Sequence, residues 1–406
     1  MRRINPARFS VAKRGTSREI NSQIVLNLVR THQPISRADL ARAMGVSRAS
    51  VTLIVNDLIA RQLVFEGATG EAVRGRKPTF LYIDAKRRTV VAADIRATET
   101  FLMLADIIGK PLNGVISFPT VREPKALVAT LAARIKSLVA EHSAVAACEG
   151  IGVVVPGMVE QGTMRVLHAP TLGWRNVDLR EALAAATGLR VQIENSGRAC
   201  ALAQMWALGG NGPTCPGDLV FVSVSEGIGV GVIINGELLR GRHNIAGEAG
   251  HIPLSLDGPR CSCGNNGCWE AYISNRATLA RYFGRAAHEG PQDTQQRRFT
   301  MEDLIARARG GDAKAVAALE ATARYLGLGL ASVVNVFDPA CVFVGGEITL
   351  AWDLIEGAVR SALAERVLTA AAANTAIRPV AAGEHPRLQG AAALVSAPAF
   401  AAPVVA

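Results

Sequence analysis

The sequence predicts an α/β body preceded by a small, basic, largely helical head. Three observations carry this. Residues 17–62 space their apolar side chains at helical intervals and place capping residues between the runs. From residue 89 the texture changes to short apolar runs ending in glycine, alternating with amphipathic helical stretches. Charge divides at the same border: residues 1–88 hold 17 Lys and Arg against 6 Asp and Glu, and the remainder holds 27 against 28.

In the head, residues 17–31 place Ile20, Ile24, Val25, Leu28 and Val29 on one helical stripe. Ser36 is suited to cap a second helix carrying Leu40 and Met44, and Gly45 to stop it. Ser47 then opens a third helix that turns Val51, Ile54, Val55 and Leu58 inward. Two short helices joined by a Gly-containing turn predict a helix-turn-helix. The apolar stretch 63–65, a polar loop over 67–75 and a returning strand at 79–83 predict a wing. The third helix would present Ser47, Arg48, Ala49, Ser50 and Thr52 to a major groove, with Arg48 on either a guanine edge or a phosphate. The wing tip carries Arg74, Arg76 and Lys77; an arginine beside glycine suits a narrow minor groove. A basic module on a near-neutral body is the charge pattern of a nucleic-acid-binding head. A three-helix protein-interaction module is the plainer alternative.

In the body, strands are predicted at 90–94, 100–106, 150–157, 219–224 and 229–234, with helices at 124–142 and 318–336, the second leading into the run Asp338 to Gly346. Ligands in such folds sit in the cleft at strand ends. The apolar tail 390–406 is rich in alanine and has two prolines, so no membrane partner is expected. Of seven cysteines, Cys148, Cys200, Cys215 and Cys341 are scattered, which predicts a reducing, cytoplasmic setting without a disulfide framework.

The other three cysteines fall within eight residues, as Cys261-Ser-Cys263-Gly-Asn-Asn-Gly-Cys268, and His251 lies ten residues upstream. Three sulfurs and one imidazole nitrogen are the ligand set of a closed structural zinc site, one Zn per chain. Gly264 and Gly267 permit the tight turns it needs. A redox pair and unligated thiols are the alternatives, but Cys-x-Cys is not the usual redox spacing and neither uses His251.

These residues carry a family resemblance. Gly247-Glu-Ala-Gly-His251 followed by Cys261-x-Cys263-Gly-x-x-Gly-Cys268-x-Glu270 resembles the signature of the ROK family of repressors, open reading frames and kinases. Val155-Pro-Gly157, Glu194-Asn195, Gly227-Ile-Gly-Val-Gly231 and the run Asp338 to Gly346 are similar as well. The head and its Gly75-Arg-Lys-Pro78 segment resemble those of the family's repressors. The resemblance implies a two-lobed, actin-like, ribonuclease H-like body with sugar bound between the lobes. It implies a basic arm over 1–16, a winged helix-turn-helix over 17–85 and a body over 86–406. The smaller lobe would take about 86–198 plus the C-terminal end, and the larger about 199–385.

The family's kinases need three parts that this sequence alters. The phosphate-holding turn Asp-x-Gly-Gly-Thr reads Asp94-Ile-Arg96-Ala97-Thr98, so the glycines that let backbone N–H groups approach phosphate are gone. The Gly-Thr-Gly turn of the other lobe reads Ser225-Glu226-Gly227. The general base, an aspartate after Asn195, is replaced by Ser196, whose hydroxyl accepts no proton at neutral pH. No catalytic residue is therefore expected. The sugar side is kept: Asn195, Glu248, His251 and Glu270 match positions where the family holds sugar hydroxyls. Glu248 as a helix-end residue and Glu270 as a solvated charge are the plainer readings, and Trp174 lies either near the sugar or in the core. The sequence thus implies a regulator with operator DNA, a sugar or sugar-phosphate effector and a homodimer or dimer of dimers as partners. A sugar kinase carrying a DNA-binding head is the alternative.

Overall fold

A computed structural model describes residues 15–69, 78–142, 146–208 and 217–400. Most of the basic arm, the wing tip with Arg74, Arg76 and Lys77, and Cys215 lie outside the described residues.

The head holds α1 (Thr16–His32), α2 (Arg37–Met44) and α3 (Arg48–Ala60). Ser36 caps α2 in a reciprocal capping box with Asp39, and Gly45 ends it at φ +64°. Ser47 caps α3 through Ser50 N. Val51, Ile54, Val55 and Leu58 are buried as expected. The stripe on α1 differs: Ser22, Val25, Leu26 and Val29 are buried, while Ile24 is 40% exposed. Spacing of three and four is satisfied by both sets, and only contact with α3 and the body selects the phase. Three short strands, β1 (Ile35–Ser36), β2 (Val64–Thr69) and β3 (Thr79–Ile83), pair antiparallel in the order β1-β3-β2. The predicted hairpin thus gains a third strand from the segment just before α2.

The body begins with β4 (Arg88–Ile95), β5 (Glu99–Asp106), β6 (Ile116–Pro119), α4 (Pro124–Ala140) and β7 (Ala147–Val155). A small three-stranded sheet follows, β8 (Met158–Val159), β9 (Val166–Ala169) and β10 (Trp174–Val177). Then come α5 (Leu179–Thr187), β11 (Val191–Asn195) and α6 (Ser196–Ala207). The second half supplies β12 (Leu219–Val224), β13 (Ile228–Ile234), β14 (Glu237–Leu238), β15 (Cys341–Gly345) and β16 (Ala376–Pro379).

The two five-stranded sheets have one topology. The first runs β6-β5-β4-β7-β11 and the second β14-β13-β12-β15-β16. In each, the first three strands are antiparallel neighbours, the fourth pairs parallel with the third, and the fifth pairs parallel with the fourth. A duplicated sheet of this order is the two-lobed, actin-like arrangement.

Two helices tie lobes and head together. α6 packs on β12 and β13 of the second sheet, and the C-terminal helix Pro386–Phe400 packs on β4 and β7 of the first. They touch each other where Gly390 meets Ala199; a Cβ at 390 would lie 2.0 Å from Ala199 O. The described part of the apolar tail, up to Phe400, therefore belongs to an internal helix, with Leu388, Ala391, Ala392 and Phe400 buried; residues 401–406 lie outside the described residues. One continuous core joins head residues Val25, Leu40 and Val55 to body residues Val90, Met103, Leu388 and Phe400. Among the described residues, no single helix is long and apolar enough to cross a membrane.

Candidate functional site

Parallel strands β7 and β11 end side by side, with Val155 opposite Asn195. Asn195 caps α6: its Oδ1 accepts from Gly197 N at 2.8 Å and Arg198 N at 3.4 Å, and its Nδ2 donates to Gly157 O at 2.8 Å. That leaves one amide hydrogen for a ligand. One turn on, Arg198 is buried. It donates to Asn244 O at 2.6 Å and Ala246 O at 3.1 Å, and pairs with buried Glu194 at 3.5 Å. Glu194 also pairs with Arg240 and accepts from Asn195 N at 2.9 Å. This charged network holds the loop that leads to Glu248 against the first turn of α6. The sequence reading missed Arg198; a basic residue inside the first turn of a Gly-containing helix carries no local signature.

Burial pushes the Glu248 carboxyl above its ordinary range. His251 and Arg198 pull it down, and Glu270 adds to the rise. Glu248 therefore lies in the electrostatic reach of His251, Arg198 and Glu270, and Arg198 follows the Asn195 cap by three residues. Glu270, only 9% exposed, spends both oxygens internally. Oε2 accepts from Ile228 N at 2.9 Å and Oε1 from Ser262 Oγ at 2.8 Å. It is no solvated charge. Its first effect is to fix the turn before β13, where Gly227 must lack a side chain because a Cβ would lie 2.7 Å from Glu270 Oε2. Trp174 is a core residue: 3% exposed, with Nε1 donating to Arg122 O at 2.7 Å.

His251, Cys261, Cys263 and Cys268 converge, with one ligand atom from each within 4.8 Å of all the others. His251 Nδ1 and Cys261 Sγ are 3.8 Å apart, and the Sγ atoms of Cys263 and Cys268 are 3.7 Å apart. Four ligands on a tetrahedron with arms of about 2.0–2.3 Å are separated by about 3.5–3.8 Å, so the set can hold a metal ion. Burial and the neighbouring thiols push Cys268 up to about 12, a situation that a cation reverses. Nδ1 lies on the side of the Cys261 sulfur, so it is the ring nitrogen placed to hold an ion. Trp269 anchors the knot. It is buried, donates to Tyr325 O at 2.8 Å and lies against Gly329, where a Cβ would meet the indole at 1.9 Å.

On the other side of the cleft, Arg96 Nε donates to buried Asp94 Oδ2 at 2.7 Å and stacks 4.4 Å from the Phe101 centroid. From the C-terminal helix, Arg387 Nη2 donates to Ser225 Oγ at 2.8 Å. Burial works against the charge on Arg387, but Asp94 and Glu347 are among the groups that hold its pKa above the ordinary value. Asn275 donates to Ser225 O at 2.8 Å and to Glu347 Oε2 at 2.9 Å. Burial and then Glu347 raise Glu226. Protein side chains thus pair with one another at the segments that match the family's phosphate-holding turns, while Asp94 Oδ1 and Asn275 Oδ1 are buried without a hydrogen-bond partner. Arg387 was invisible to the sequence reading because it arrives from the far end of the chain. At the base position, Ser196 is buried at the start of α6 and offers no carboxylate.

On the head, Ser47, Arg48, Ala49 and Ser50 are all exposed, and Thr52 is half-buried.

Fold and site together define a duplicated, two-lobed sugar-kinase-like body with a winged head. The ROK family model matches residues 91–397, and the chain belongs to that family. It is 28% identical over 389 residues to the xylose repressor of Bacillus subtilis, covering 95% of this chain and 97% of that one. It is 32% identical to the glucokinase of Streptomyces coelicolor over 279 residues, covering 66% of this chain and 85% of that one. Among solved structures, it resembles a ROK family transcriptional regulator described as a homologue of the Escherichia coli MLC protein. That match has a TM-score of 0.77 and 27% identity, and covers 95% of this chain and 97% of the other.

Proposed function

We infer that this protein is a sugar-responsive, DNA-binding transcription regulator of the repressor type, which holds a sugar or sugar phosphate in its cleft without phosphorylating it. The observation that carries the reading is the winged head built onto the body's own core. The Arg96–Asp94 pair at 2.7 Å and Ser196 at the base position support the absence of phosphoryl transfer. The full-length likeness to a xylose repressor favours a pentose at the head of any effector panel.

In this reading residues 17–85 contact operator DNA and residues 86–406 bind the effector. Glu248 accepts from sugar hydroxyls, the free amide hydrogen of Asn195 donates, and His251 Nε2 adds one more contact. Glu270 acts mainly by holding the turn at Ile228. A structural zinc on His251, Cys261, Cys263 and Cys268 supplies no chemistry to the sugar; it fixes the direction of His251. A homodimer in the cytoplasm would read two half-sites.

The test is DNA binding by full-length protein, followed by anisotropy against duplexes selected from a random library. Affinity should fall with salt and change with one sugar of a pentose and hexose panel. Binding without any sugar response, or ATP-dependent turnover of a sugar, would overturn the reading in favour of a kinase carrying a DNA-binding head.

A further inference from the structure

The third helix shows more of its outer face than its first turns. Ala49, Leu53 and Asn56 are exposed and Thr52 is half-buried, opposite the buried Val51, Ile54, Val55 and Leu58. Positions 49, 52, 53 and 56 have the i, i+3, i+4, i+7 spacing with which a recognition helix meets base edges in a major groove.

The side-chain oxygens on and around this face are already engaged, whereas the exposed Arg48 guanidinium at its edge and Asn56 Nδ2 have no partner among the described residues. Thr52 Oγ1 donates to Arg48 O at 2.8 Å, so its hydroxyl hydrogen is spent on its own helix. Ser47 Oγ accepts from Ser50 N at 3.1 Å and lies 2.9 Å from Ser50 Oγ. Asn56 Oδ1 accepts from Arg37 Nη2 at 3.2 Å, and Arg37 also pairs with Glu66. What remains at the centre of the face is apolar: the Ala49 methyl, the Thr52 methyl and Leu53, which is 68% exposed. The only apolar group that a base pair offers in the major groove is the thymine C5-methyl.

We propose that Leu53, flanked by Ala49, is a specificity-determining residue that reads thymine methyl groups in the operator's major groove. The inference rests on the head being a DNA reader, and the experiment separates the two.

Full-length protein is used to select duplexes from a random library. Each thymine of the winning duplex is then replaced in turn by deoxyuridine, which lacks only the methyl group. At one or two positions the wild type should lose about fourfold in affinity, the effect of one buried methyl-sized group. Leu53→Ser should bind the thymine duplex more weakly and lose its sensitivity to uracil at those positions, a non-additive cycle. Leu53→Met should keep the sensitivity. The salt dependence should be the same in all three proteins, because no phosphate contact is removed. Leu53 is exposed, so unchanged melting temperatures are expected.

A selection that yields no duplex sinks the DNA-reader reading itself. Equal uracil penalties in wild type and Leu53→Ser, or none in either, overturn the assignment of Leu53 alone. So does a variant that changes the protein's sedimentation while keeping thymine discrimination, since Leu53 would then face a second copy of the chain.

Discussion

The guanidinium of Arg30 lies 4.0 Å from the centroid of the Trp206 ring and donates to Trp206 O at 3.1 Å. Arg30 is on α1 of the head, and Trp206 is near the end of α6. The Trp206 ring meets Phe400 edge-on at 5.3 Å, and Asn27 of α1 donates to Phe400 O at 2.5 Å. Asn195 caps the start of α6, and Arg387 lies in the first turn of the C-terminal helix. α6 therefore runs from Asn195 to the head, and the C-terminal helix from Arg387 to the head.

This joint predicts a coupling phenotype. Arg30→Met keeps the aliphatic stem and removes a stacked cation worth about 0.5–2 kcal/mol. Effector affinity should be unchanged while the effector's influence on DNA affinity shrinks toward none. Titrations of effector with and without DNA check this; an undiminished coupling factor would show that the signal passes elsewhere.

The contact between the two helices predicts a packing phenotype. Gly390→Ala forces a Cβ against Ala199 O. The cost of such overpacking is about 1–3 kcal/mol, so the thermal midpoint should fall by several degrees. Calorimetry measures it, and a midpoint at the wild-type value would mean that the helices separate freely.

The cysteine knot predicts metal dependence. The purified protein should carry about one zinc per chain, and Cys263→Ser should lose most of it. Effector affinity should fall with it, because His251 loses its fixed direction and the Ser262–Glu270 contact loosens. Metal analysis beside effector calorimetry decides; full affinity in a zinc-free protein would remove the positional role.

The altered cleft predicts that one repair is insufficient. Ser196→Asp restores a carboxylate at the base position but leaves Arg96 on Asp94 and Arg387 on Ser225. No ATP-dependent phosphorylation should appear against a sugar panel in a coupled assay. Turnover in that variant would mean that the nucleotide site is intact.

Much of this molecule was legible before folding. Ser36, Gly45 and Ser47 delimit the head's helices because caps act within three or four residues of themselves. The convergence of the Cys/His cluster was legible because Cys261, Cys263 and Cys268 lie on one short turn, with His251 at a fixed offset. The phase of α1 was not, since helical spacing alone admits both Ile24 and Leu26. Nor was the partnership of Glu270: a carboxylate two residues after Cys268 reads as a sugar ligand or a solvated charge, and its bonds to Ile228 N and Ser262 Oγ are set by the fold.

By itself the sequence determined the class of each part: a basic helix-turn-helix, a closed Cys/His knot, and a cleft with Arg96, Glu226 and Ser196 in place of kinase groups. Those are properties of residue type at short spacing. Only the tertiary structure decided what the parts do to one another. Arg30 meets Trp206 from 176 positions away, and Arg387 reaches Ser225 from 162. Such pairs are selected by the packing of two sheets and two helices, which no local pattern encodes.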